Sequence, residues 1–247
     1  MKAVFIALAA ALIAVAALAA FAPASLVDAR LASATGGTVR LAEAEGTLWQ
    51  GRGVLGGPDG RWRAPVAWTL DVAPLLRGVA SLAFGSADAP DLRGSATAQR
   101  DRVVIESLDA TLPGAMLAAL DPAANLAAGG EVKVRATTLP LGPVPGQGTI
   151  DADWSNARMR IGGLRVDLGT VTLRLAAQGE SLGGPVSSQG GDVGVDGSVT
   201  LREGRLDAQL RLTPGAAASP ELRNALASLG AADAQGAVAL RVGRTLR

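Results

Sequence analysis

The chain has 247 residues, with 23 Lys plus Arg against 22 Asp plus Glu and a formal net charge of +1. That balance lacks the basic excess of a nucleic-acid binder, and a hydrophobic content of 49% is enough for a packed core rather than a disordered chain. Cysteine, histidine and tyrosine are absent, which removes thiol nucleophiles, disulfides, most zinc sites and every Ser-His-Asp triad.

In chain order, the first element is apolar. Ala3 to Ala22 carries no charged or polar side chain and consists only of Ala, Val, Leu, Ile and Phe. As a helix it would be about 30 Å long, the thickness of a bilayer core. Lys2 precedes it, and Pro23, Ser25, Asp28 and Arg30 follow. A cleaved signal peptide would also begin with a basic residue, but its apolar stretch is shorter, about 7–15 residues. The expectation is therefore an uncleaved transmembrane helix over residues 3–22. Residues 1–34 would form a membrane anchor and linker, with a helical or linker stretch from Ala24 to Ala34. The remainder would lie across the inner membrane, in the periplasm.

Residues 35–247 read as one antiparallel β domain. Polar and apolar residues alternate over Glu131–Ala136, Thr149–Trp154, Thr170–Leu175, Ser198–Arg202 and Arg205–Leu212. Period two places one set of side chains on each face of a half-buried sheet. Glu203-Gly204 reads as a two-residue hairpin turn with Gly at positive φ. Helix signals are few. Pro113–Leu120 is a short candidate. Ser219–Gly230 is better, with an N-cap Ser, Pro at the first helical position, apolar Leu222, Leu226 and Leu229, and a terminal Gly. The fold class is mainly β: one N-terminal transmembrane helix, then a curved antiparallel sheet with one or two short helices.

Catalytic and metal patterns are weak. Asp151 and Asp153 form an Asp-x-Asp pair, but strand alternation accounts for it. Gly190–Asp196 resembles a calcium β-roll repeat only loosely, in a single copy. Lys133, the one lysine besides Lys2, sits on an alternating strand where an outward solvated side chain is the default. The reading is no catalytic residue, no metal and no cofactor.

The sharpest stretch is Gly46-Thr47-Leu48-Trp49-Gln50-Gly51-Arg52-Gly53. It follows a predicted strand, Thr38–Ala44. A second tryptophan strand, Pro65-Val66-Ala67-Trp68-Thr69-Leu70, comes next, and then Pro74-Leu75-Leu76-Arg77-Gly78. On physical grounds this is a Gly-bounded hairpin carrying a large aromatic anchor. Trp49 is expected to be buried where the hairpin packs on the sheet, with Gly46 and Gly51 permitting close approach.

The same residues resemble the type II secretion system protein N family, also called general secretion pathway protein N. The helix and closing strand over Leu222–Leu246 are similar to that family's end as well. The resemblance implies a non-enzymatic inner-membrane accessory protein in the machine that exports folded proteins across the outer membrane. Its partners would be other inner-membrane components of that machine, with no nucleic acid. Gly46, Thr47, Trp49, Gly51, Trp68, Pro74 and Leu75 are the family-motif positions, structural or in contact with a partner. A Gly-Thr-x-Trp-x-Gly element also occurs in AsmA-like periplasmic proteins. This makes a lipid-handling protein with an apolar β groove the alternative, and such a groove would show as contiguous apolar lining not covered by a helix or second sheet.

Overall fold

The computed structural model describes residues 22–57, 60, 62–71, 73–86, 92–99, 103–116, 128–141, 148–161, 163–203 and 205–245. The transmembrane helix expected over residues 3–22 lies, Ala22 apart, outside them. Among the described residues no helix is long and apolar enough to cross a membrane. By its internal contacts the chain divides into two compact units, Met1–Pro90 and Asp91–Arg247.

The first unit opens with helix α1 (Ser25–Ala34), in the stretch read as helical or linker, and continues as an antiparallel meander. Its strands are β1 (Arg40–Gly46), β2 (Gln50–Gly56), β3 (Arg63–Asp71) and β4 (Ala80–Gly85), with a short 3-10 helix at Ala73–Arg77 before β4. α1 is tied to β1 by polar contacts. The Arg40 guanidinium donates to both oxygens of Asp28 at 2.9 and 2.6 Å, and the Leu41 N–H donates to Asp28 Oδ1 at 2.8 Å. Upstream of the helix, the Leu48 N–H donates to the Ala22 carbonyl, the Ala24 N–H donates to the Gly46 carbonyl, and Ala24 is buried.

The second unit is a longer meander. Its strands are β5 (Leu92–Ala98), β6 (Val103–Pro113), β7 (Gly129–Leu141), β8 (Thr149–Ile161), β9 (Leu164–Gln178), β10 (Ser181–Gln189), β11 (Val193–Arg202), β12 (Arg205–Pro214) and β13 (Val238–Thr245). Each pairs antiparallel with the next. All five stretches of alternating sequence lie in strands. At the β11–β12 turn the positive φ falls on Glu203, at 50°; Gly204, expected to supply it, lies outside the described residues. Near Pro113 there is only a 3-10 turn, Gly114–Met116, and the rest of that helix candidate lies outside the described residues.

Helix α2 (Pro220–Ala227) forms where the cap signals placed it. Ser219 is extended at φ −67° and ψ 157°, and its hydroxyl accepts the Leu222 N–H at 3.2 Å. Leu222 and Leu226 enter a core with Val166, Leu168, Val193, Val195, Leu212 and Val238. A second apolar cluster lies on Leu175, Val186, Val199 and Ala208.

Candidate functional site

The family-motif residues gather on β1–β3. Thr47–Trp49 is the tip of the β1–β2 hairpin. The Thr47 N–H donates to the Gln50 carbonyl at 2.8 Å, and the Gln50 N–H donates to the Thr47 hydroxyl at 3.2 Å. Gly46 enters this turn at φ +90°, where an added Cβ would stand 2.6 Å from the Gln50 carbonyl oxygen. The position needs both the left-handed backbone and the missing side chain.

Which tryptophan anchors the hairpin differs from the sequence expectation. Trp49 is half-buried, whereas Trp68 and Trp62 are buried. The reason is register. Gly51 sits directly across the ladder from Trp68, and a Cβ on Gly51 would stand 2.4 Å from Trp68 Cζ2. The absent side chain is thus the space into which the Trp68 ring lies. The Trp68 Nε1–H then donates to the Leu48 carbonyl at 3.1 Å, fixing the hairpin tip to β3. Trp49, at the tip, contributes its carbonyl, which accepts the Leu70 N–H at 2.6 Å. Pro74 and Leu75 lie in the 3-10 helix after β3, where the Pro74 carbonyl accepts the Val79 N–H. The motif is therefore one structural unit, a hairpin pinned to its neighbouring strand by an indole.

The chemistry-bearing residues weighed from the sequence have ordinary surroundings. Asp151 and Asp153 face Arg174 on β9, at 3.4 and 2.9 Å, and Thr172 also donates to Asp153. Lys133 is exposed, one rung across from Asp153. Asp192, in the stretch resembling a β-roll repeat, ties the β10–β11 turn to β9: its N–H donates to the Asp167 carbonyl and its carboxylate accepts the Asp167 N–H. Among the described residues no group of three or more carboxylates could hold a metal ion.

In the second unit the inner face of the sheet forms a groove of about 510 Å³. Val132 on β7, Trp154 on β8, Leu173 on β9, Val186 on β10, Val199 on β11 and Leu210 on β12 all line it, and among the described residues Arg160 is the one charged residue that borders it. Leu229, just past α2, is exposed at its edge. The sequence foretold apolar alternation on these strands; the groove itself depends on which rungs align and on where α2 stops.

Comparison with protein families shows that residues 37–241 match the family described as Type II secretion system (T2SS), protein N. The chain belongs to that family. Comparison with curated proteins and with solved structures finds no match. As a T2SS protein N, the chain is a component of the type II secretion system. The match runs from the residues before β1 into β13, so T2SS protein N takes in nearly the whole described β structure, the pinned hairpin and the groove included.

Proposed function

We propose that this chain is a non-enzymatic accessory component of the type II secretion machine, held in the inner membrane by residues 3–22 with its β-rich remainder in the periplasm. The observation that carries the reading is the family match over residues 37–241. The uncharged stretch Ala3–Ala22 supports the anchor, being long enough to cross a bilayer as a helix. The lack of histidine and cysteine, and the pairing of Asp151 and Asp153 with Arg174, support a binding role over catalysis. Such a protein acts by holding other inner-membrane components in place while folded substrates leave the periplasm.

Crosslinking from β-strand positions in intact envelopes, with identification of the captured proteins, tests this role. The expected catch is inner-membrane components of the secretion machine, together with loss of secretion when the gene is deleted. Unimpaired secretion in the deletion strain would refute it. For the anchor, the mature protein should begin at Met1 and resist alkaline extraction from membranes. A mature protein beginning near Ala24 or Ser25 would overturn the anchor while leaving the secretion role standing.

A further inference from the structure

The groove on the inner face of the second unit has a chemistry that restricts what it can hold. Among the described residues its wall is apolar except where Arg160, whose side chain belongs to the other face, borders it. The strands that form it from β8 to β12 are each paired on both sides, so their backbone N–H and C=O groups are engaged in the ladder. A peptide laid across this face would bring backbone polar groups with nothing to bond, a costly desolvation. A hydrocarbon chain brings none. The volume of about 510 Å³ falls within the range of small-molecule sites, about 300–1,000 Å³.

The end of the groove at the β8–β9 hairpin has the opposite character. Arg160 borders both the groove and an adjoining depression that Arg158 and Arg165 also line. Arg160 and Arg165 are directly opposed across the ladder, a like-charge arrangement that is unfavourable by itself. Among the described residues, none of the three arginines is ion-paired with a carboxylate. Asp167, opposite Arg158, is turned instead to the Gly169 N–H at 2.7 Å. The register puts Arg160 and Arg165 on the other side of the pleat from Met159 and Val166. A headgroup therefore reaches them around the hairpin tip rather than inside the groove.

We propose that this groove binds an acyl chain of an anionic phospholipid, with the lipid phosphate held by Arg160 and Arg165 at the hairpin tip. The opposed guanidinium pair is then neutralised by the ligand, and the hydrocarbon covers the apolar face that α2 leaves open. The site goes beyond a scaffolding role in secretion and stands or falls separately from it.

The test uses the full-length protein in mild detergent with phosphatidylglycerol carrying a photoactivatable group on its acyl chain, and in parallel the matched phosphatidylcholine. Labelled peptides are mapped by mass spectrometry. Labels should fall on peptides containing Leu173, Val186 and Leu210, severalfold more strongly with phosphatidylglycerol. Inorganic phosphate alone should not compete at millimolar concentration. Replacing the exposed pair, Arg160→Ser with Arg165→Ser, should bring phosphatidylglycerol labelling down to the phosphatidylcholine level. Labels confined to residues 1–34, or an equal yield from both lipids on the unaltered protein, would overturn the proposal. Neither of those outcomes depends on a variant folding.

Discussion

If Trp68 rather than Trp49 pins the hairpin, truncating the two should have very different costs. Trp68 retains 7% of its surface exposure, and its indole N–H bonds the Leu48 carbonyl. Trp68→Ala therefore removes a buried aromatic and a tie to the hairpin tip, a loss of about 3–5 kcal/mol. Trp49 is half-buried, so Trp49→Ala forfeits only part of a transfer free energy and should cost roughly 1–2 kcal/mol. Gly51→Ala tests the same contact from the other side. Its Cβ would meet Trp68 Cζ2 at 2.4 Å and the Glu45 carbonyl oxygen at 2.7 Å, overpacking that costs about 1–3 kcal/mol. In the Trp68→Ala background the ring clash is gone and only the Glu45 conflict remains. The two changes should then be non-additive by about 0.5–3 kcal/mol, as expected of residues in contact. Against a typical total stability of about 5–15 kcal/mol, Trp68→Ala alone should visibly lower the amount of protein in the envelope. Urea unfolding of the full-length chain, followed by far-UV circular dichroism so that loss of an indole does not distort the signal, measures the four variants against the unaltered protein. A Trp49→Ala cost equal to or above that of Trp68→Ala would refute the register argument. So would strict additivity of Gly51→Ala with Trp68→Ala.

The Arg40 side chain, with help from the Leu41 N–H, holds the Asp28 carboxyl down from an ordinary 3.8 to about 2. Its stabilising contribution is present above about pH 4 and is lost as pH falls toward 2; Asp28→Asn should remove that part of the acid transition and lower stability at pH 7, as read by unfolding curves across pH. Leu226 has no exposed surface, and Leu226→Ala should cost about 2–5 kcal/mol in urea titration. Ser219→Ala removes the cap of α2 and should cost about 1 kcal/mol by the same measurement. Lys133→Ala changes an exposed strand position, and Asp151→Asn with Asp153→Asn changes half-buried ones that face Arg174; each should leave secretion intact and alter stability by no more than about 1 kcal/mol. Loss of secretion by a folded variant of this kind would contradict a non-catalytic role.

Local chemistry determined much of this protein from the sequence alone. Side-chain alternation is set residue by residue, so Glu131–Ala136, Thr149–Trp154 and Arg205–Leu212 announced strands without reference to anything distant. The cap Ser219 and the following Pro220 act within one helical turn, which is why α2 was legible before its packing was known. The family pattern at residues 46–78 is likewise a run of neighbours. Tertiary structure decided the rest, because the deciding partners are far apart in the chain or depend on register. Gly51 accommodates Trp68 only because β2 and β3 align on that rung. Asp28 clamps Arg40 from 12 residues away. The grouping of the strands into two compact units follows from where contacts concentrate, which no run of neighbours encodes. The groove exists because seven strands bring their apolar faces to one side while α2 covers only part of it. Alternation tells each residue which face it occupies; only the assembled ladder decides what stands opposite it.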